Sequence, residues 1–464
     1  NPDDGNCMNV PKKHLHSYPI AIEKNHLYVD LPIHSPDLEQ KKHDQNTILP
    51  KITVISNACL LIEWKNFRLL TDPWIDGPCF LGECIQYPPP KITTNELEQI
   101  DAIWISHEHS DHFHEKTLSK IDKKTPVIIP DYDDHRLENK IKKLGFVNTK
   151  SIKNSQTIFL TDDFSITSFF SASIWNDSIQ LIQTGDFKIL NLNDTGFNWK
   201  ILDHVPKINL ICAQFSGPGS SFPIVWDNIK DEQKKQIMKE QNIGVLKSLK
   251  QVAELTKSDY LLPYANFLEI YYPEHHDYML SKEANSINDV IKLFRNSNTQ
   301  ILDLLPGESW DGNFYRIENR EKYSDLDYKQ DYLKKKFLND SQYDHIPQNH
   351  SLTDSEIINY FENFSGSYLS SQVQEYDIHL KITSKCDEKN FLISFNNGNV
   401  KIKKTDLNCK SNMFWECPQN IFQEVISNDL SWDEALLGYW CKFFRDSPNY
   451  NVYLWKIFHA PWKA

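Results

Sequence analysis

No run of apolar residues in this chain approaches the roughly 20 that a bilayer-spanning helix needs, which excludes a membrane helix and leaves a protein that works in water. A basic surplus is missing too: 50 Lys and Arg stand against 63 Asp and Glu, a formal net charge of -13, with no dense Lys/Arg run. That balance argues against a nucleic-acid surface and for a small-molecule partner. Glycine is scarce, 14 residues in 464. The Gly-rich loop at 216–221 lacks Lys or Thr at P-loop spacing, so a nucleotide loop is unsupported. The nine cysteines, Cys7, Cys59, Cys79, Cys84, Cys212, Cys386, Cys409, Cys417 and Cys441, show no repeating pair pattern. They read as reduced thiols of a cytoplasmic protein rather than a disulfide framework. Nor does any Cys-x-His or Cys-x-x-His pair occur.

What is present is a dense cluster of metal donors. The segment Ser106-His107-Glu108-His109-Ser110-Asp111-His112 follows the apolar run Ile100 to Ile105, the signature of a turn leaving a buried strand. Such a turn can project His107 and His109 toward one ion while Asp111 and His112 reach a second. Neutral imidazoles suit Zn, Fe, Ni or Cu, and a carboxylate beside them shifts the balance toward Zn, Fe or Mn. His-x-His-x-Asp-His is the fingerprint of the metallo-β-lactamase fold, and the chain resembles that fold well beyond this loop.

Two strands, Ile52 to Glu63 and Phe67 to Trp74, form the hairpin that opens the first sheet of that fold, and Asp72 at its end is placed to orient a metal ligand. Residues 75–99 are irregular and suit a covering loop. Glu115 to Ile121 and His135 to Leu144 read as helices flanking a strand at Val127 to Pro130. This alternation predicts a layered α/β architecture, the αββα sandwich.

A second hairpin, Ser178 to Gln183 and Lys188 to Asn193, turns at Gly185-Asp186. The fold's bridging carboxylate follows the second strand, which makes it Asp194 and leaves Asp186 in solvent. The segment 171–178, which normally supplies a third histidine, has none, and Asp177 is its strong ligand. The run Tyr260 to Phe267, which normally precedes the last histidine, also has none; the nearest replacements are Glu269, His275 and His276. Residues 208–226 read as a strand entering a Gly/Ser/Pro loop whose backbone N–H groups could hold an anion. Residues 231–257 form a long charged helix. Residues 320–464 form a smaller α+β domain. It holds charged helices up to 362, a hairpin at Tyr376 to Ile382 and Phe391 to Phe395 with a turn at 396–399, and amphipathic helices at 419–445 and 450–459. It shapes substrate access or an oligomer face.

Residues 1–34 read as a turn and two strands, Leu15 to Glu23 and Leu27 to Leu31, too few to stand alone. They resemble the last strands of a Rieske iron–sulfur domain, whose cluster ligands are then expected upstream of Asn1. Residues 35–50 suit a linker, and 51–319 the metal domain.

The whole pattern is similar to the CMP-N-acetylneuraminate hydroxylase family, a Rieske domain joined to a metallo-β-lactamase-fold domain. The resemblance is carried by Leu70 to Pro78, the motif Ile105 to His112, Ile189 to Asp194, Phe215 to Pro223, Leu262 to Ala265, Trp432 to Gly438 and Arg445 to Pro448. It implies oxygenase chemistry: a Rieske [2Fe-2S] cluster, whose His ligation raises its potential, passes electrons to a dinuclear iron site that activates O₂. A reductase or ferredoxin would feed the cluster. The resemblance implies His107, His109, Asp111, His112 and Asp194 as metal ligands, with Asp177 a further candidate. Asp111 and Asp194 also face the chemistry. The chain departs from the family where it lacks the histidine before the second hairpin and where Gln214 replaces an acid, so a metabolite other than the sialate nucleotide is expected. The competing reading is a metal-dependent hydrolase of an ester, amide or thioester, with a metal-bound water as nucleophile. Trading two imidazoles for carboxylates hardens the site and tilts it toward iron or manganese over zinc.

Overall fold

The computed structural model describes residues 20–23, 26–29 and 48–463, apart from 98, 172–175, 198–200, 202–206, 218–221, 276–277, 279–283, 340–351, 386, 407–408 and 446–450. The chain divides into two compact units, Asn1–Thr47 and Ile48–Ala464. In the first, strands Ile20–Glu23 and His26–Val29 pair antiparallel, Ile20 opposite Val29.

The second unit is built on two large sheets. One runs Phe314–Tyr315, Ser309–Trp310, Lys51–Val54, Leu60–Trp64, Phe67–Thr71, Ala102–Trp104, Val127–Pro130 and Thr149–Ile152 in spatial order. The other runs Thr157–Thr161, Phe164–Phe170, Ser178–Thr184, Phe187–Asn193, Leu210–Ala213, Tyr260–Pro263 and Gln300–Ile301. The parallel strands Ala102–Trp104 and Val127–Pro130 are buried at every residue, as expected where both sheet faces are covered. The sheets pack face to face: Ile62, Trp104 and Ile128 of the first share a core with Ile182, Ile189 and Cys212 of the second. Leu118 and Ile141, on helices Glu115–Lys120 and Arg136–Lys143, cover the outside of the first sheet against Ile103 and Ile129. Leu249 and Val290, on helices Asp231–Thr256 and Ile287–Phe294, cover the outside of the second against Leu190 and Ile211. The architecture is α/β, the αββα metallo-β-lactamase sandwich.

The C-terminal residues add a third sheet in the order Asn399–Lys404, Glu388–Asn396, Tyr376–Thr383, Met413–Pro418 and Lys442–Arg445. Here the sequence reading of helix throughout 419–445 is corrected. Helices occupy only Gln419–Ser427 and Asp433–Leu437, and Lys442–Arg445 is an edge strand with Phe443 opposite Trp415. Cross-strand aromatic pairing, invisible in a local pattern, outweighs the helical periodicity there. The loop at 75–99 likewise contains a strand, Cys84–Gln86, paired with Leu268–Ile270. Phe80 from that loop and Trp74 just before it lie in one core with Trp415, Trp432 and Phe458. Metal-motif side and C-terminal residues are thereby packed together.

Candidate metal centre

The donors sit just beyond the C-terminal ends of strands from both sheets, the usual end for a site in α/β sheets. Strand Phe67–Thr71 delivers Asp72, strand Ala102–Trp104 delivers the motif, and strand Phe187–Asn193 delivers Asp194. The motif turns sharply because the backbone N–H groups of His112 and Phe113 both donate to the His109 carbonyl, at 2.9 and 2.8 Å. Its start is pinned from both sides. Ser106 N–H donates to Asp72 Oδ1 at 2.7 Å, while Tyr132 Oη and Ser178 Oγ donate to the Ser106 carbonyl at 2.8 and 3.1 Å.

The three imidazoles converge. His107 Nε2 and His109 Nδ1 are 2.9 Å apart. His112 Nε2 lies 3.3 Å from Asp194 Oδ2 and 3.5 Å from Asp111 Oδ2. Neighbouring ligands on one ion with bonds near 2.1 Å are separated by about 2.9 to 3.6 Å for angles of about 90° to 120°, so both groups have the spacing of ligand pairs. His112 Nε2, Asp111 Oδ1 and Asp194 Oδ1 are buried atoms with no hydrogen-bond partner. Unpartnered buried polar atoms are costly, and bound cations beside them would supply the missing partners. The donor set therefore fits a metal pair.

The opposite nitrogen of each ring meets an acceptor. His107 Nδ1 lies 2.9 Å from Ser106 Oγ and 3.4 Å from Asp177 Oδ1. His112 Nδ1 lies 3.2 Å from Asp72 Oδ2 and 3.3 Å from Ser106 Oγ. His109 Nε2 lies 3.3 Å from Asp433 Oδ2. Such partners hold the proton on the outer nitrogen and leave the inner lone pair for a metal.

Electrostatics report the same crowding of negative charge. Burial pulls His112 down, but Asp194, Asp111 and Asp72 together lift it well above the usual imidazole range. Burial likewise opposes the charge on His109, yet Asp433 leads a set of acids that push it up to about 9. His107, buried beside His112 and His109, is held well below its ordinary value. Burial raises Asp194, yet His112, followed by His107 and His109, outweighs it and holds the carboxyl far below the carboxylate range. Asp177 goes the other way, to about 7, through burial and then the charge of Asp194.

The sequence-predicted residues do not all play the parts expected. His107, His109, Asp111, His112 and Asp194 come together. Asp177 meets His107 at Nδ1, 3.4 Å away, and also accepts the Ser178 N–H at 2.6 Å. Asp186 is exposed in its hairpin turn. Of the suggested replacements for the missing histidines, Glu269 pairs with Lys329, His275 pairs with buried Glu83 at 2.8 Å, and His276 lies outside the described residues. The anion-loop expectation is also corrected for its described part. The N–H groups of Phe215 and Ser216 donate to Asn266 Oδ1, and that of Gly217 to Asn242 Oδ1.

Residues 51–190 match the beta-lactamase superfamily domain. Over 88% of this chain and 72% of its own length, the cytidine monophosphate-N-acetylneuraminic acid hydroxylase of Danio rerio is 23% identical. That of Xenopus laevis is 26% identical over 88% of this chain and 71% of its own. The chain is a homologue of these hydroxylases. Among solved structures, CmlA, a diiron beta-hydroxylase from Streptomyces venezuelae, aligns with a TM-score of 0.40 and 14% identity over 58% of this chain and 55% of that one.

Three residues of this hydroxylase homologue escaped the sequence reading. Asn57, in the turn before Leu60–Trp64, donates from Nδ2 to Asp111 Oδ2 at 3.0 Å and accepts the Phe267 N–H at 3.0 Å. Asp433 and His459 contact one another and form a group of potential donors with His109. No motif links these three to the metal loop; the one hint is that Asp433 falls within the Trp432 to Gly438 stretch shared with the family. Beside the centre opens a cavity of about 450 Å³ that His109, Asp111 and Asp194 help to line.

Proposed function

We propose that the chain is an iron-dependent hydroxylase of a small, uncharged polar metabolite, drawing its electrons from a Rieske [2Fe-2S] cluster. The observation that carries this reading is the donor set. His107 and His112 share one cluster with Asp194, His109 Nδ1 lies 2.9 Å from His107, and Asp111 lies 3.5 Å from His112, with unpartnered oxygens on both Asp111 and Asp194. A set with this share of carboxylate suits iron or manganese better than zinc, and the curated relatives are hydroxylases. When bound, iron there supplies the one-electron steps by which O₂ is activated.

Hydroxylation puts one atom of O₂ into a C–H bond and releases the other as water. Two electrons and two protons must therefore arrive from outside, which is the part assigned to the Rieske cluster and to the reductase or ferredoxin that refills it. In this reading residues 1–34 are the last strands of a Rieske domain, 35–50 a linker, 51–319 the metal domain and 320–464 a C-terminal α+β domain, all in the cytoplasm. Asp111 and Asp194, with His109, line both centre and cavity, so these two carboxylates can meet metal and substrate together.

The cavity supports the substrate class. Its polar lining is mostly neutral, with Gln214, Gln241, Asn242, Asn266 and Asn285. Among the described residues the one Lys or Arg in that lining is Lys329, which pairs with Glu269. A nucleotide sugar brings a phosphate and a carboxylate that call for Arg or Lys partners; an uncharged polyol or amide does not. Metal analysis of protein purified without oxygen tests the reading: iron is expected, and two zinc with no iron would sink it in favour of hydrolysis.

A further inference from the structure

Two of the three motif histidines, His107 and His112, are backed from within the sandwich. Asp72 and Ser106 stand behind His112, and Ser106 with Asp177 behind His107. The partner of His109 comes from much farther away: Asp433 lies 324 residues along the chain, at the start of helix Asp433–Leu437. We propose that Asp433, backed by His459, is the positioning residue of His109, fixing its proton on Nε2 so that Nδ1 faces the metal. The proposal rests on the reading of the motif as a metal centre and deepens it, because it makes the C-terminal region part of that centre.

Two further contacts show that this approach is built. Asp433 Oδ2 also contacts His459 Nδ1, at the last residue of helix Val452–His459. The two segments are joined by their backbones, Trp432 N–H donating to the Phe458 carbonyl at 3.1 Å. Next to Asp433, the buried Glu434 carboxylate accepts both the N–H and the O–H of Ser110, at 2.9 and 2.7 Å. Consecutive acids of one short helix thus grip consecutive residues of the metal loop. A neutral imidazole has one proton and one lone pair; a carboxylate that takes the proton at Nε2 dictates that the lone pair is at Nδ1, the atom 2.9 Å from His107 Nε2.

The test is titration of the metal-free full chain with Co(II), whose absorption reports the ligands around it. Asp433→Ala should bind as many Co(II) ions per chain as the wild type, about 10- to 100-fold more weakly, with a shifted spectrum. His459→Ala should show a smaller loss in the same direction, and His459→Asn, which keeps an N–H donor near the place of Nδ1, should recover part of it. Should Asp433→Ala fail to fold, Asp433→Asn takes its place, with a smaller expected loss. Unchanged affinity and spectrum in the Asp433 variant would overturn the proposal. So would loss of one whole ion per chain, which would make Asp433 and His459 ligands in their own right. A wild-type chain that takes up no Co(II) would refute the metal reading and this proposal with it, whereas normal uptake with indifferent variants refutes the proposal alone.

Discussion

Replacing Asp72 by Asn isolates what one buried carboxylate does for the centre. Asp72 is fully buried, accepts the Ser106 N–H at Oδ1 and lies 3.2 Å from His112 Nδ1 at Oδ2. Its backbone is left-handed, φ +40°, a conformation Asn tolerates as Asp does, whereas Ala would add about 1 to 2 kcal/mol of strain. The Asn oxygen can keep Ser106, which turns the amide NH₂ toward His112 Nδ1. That nitrogen then becomes the acceptor, the ring proton moves to Nε2, and the atom facing Asp111 and Asp194 loses its lone pair. The expected loss of metal affinity is about 10- to 100-fold, or about 1.4 to 2.8 kcal/mol. In the metal-free chain the sign with pH follows from His112, whose raised pKa contributes stability below the ordinary imidazole value and loses it as pH climbs through the folded value. Asp72 is one of the acids that raise it, so the variant's stability deficit should be largest at mildly acid pH and narrow as pH rises. Equilibrium dialysis with Mn(II) and denaturant unfolding at two pH values measure both effects. Wild-type affinity in Asp72→Asn would refute the idea that Asp72 sets the orientation of His112.

Asp194→Ala should lose at least one ion per chain by elemental analysis, and full occupancy would show that the bridging carboxylate has been misplaced. Gly438→Ala should destabilise the chain by about 1 to 3 kcal/mol in denaturant unfolding, because its Cβ would fall 2.7 Å from the Phe80 carbonyl and 2.9 Å from that of Glu434; an unchanged midpoint would mean that this turn can shift freely. Glu83 is buried with Oε1 unpartnered, and burial, then Cys84, holds its carboxyl well above the usual range. The folded state therefore favours its proton, and stability falls as pH rises from the unfolded carboxylate value toward the folded one. Glu83→Gln should accordingly raise the melting temperature more at pH 8 than at pH 5, and the reverse order would contradict that sign.

The strands around the centre were legible because they are local. Ile103 to Ile105 is apolar without a break, Ser178 to Asn193 is a hairpin with a Gly-Asp turn, and in each case a donor follows within three residues of the strand end. Counting from the hairpin rather than from the Gly-Asp pair is what separates Asp194, beside His112, from exposed Asp186. The edge strand Lys442–Arg445 was not legible, since its pattern alone suits a helix and only the facing Trp415 makes it a strand.

By itself, then, the sequence determined the sandwich and singled out five candidate donors, His107, His109, Asp111, His112 and Asp194, that the fold brings close together, because strand burial and turn chemistry act over a few residues. Tertiary structure decided what stands around those donors. Which nitrogen of each histidine faces inward depends on acceptors brought from elsewhere: Asp72 from a neighbouring strand, and Asp433 with His459 from the far end of the chain. Asp177 has the chemistry of a ligand in the sequence, yet it lies behind His107. A side chain's type fixes what it can bind, but only packing fixes which atom it presents.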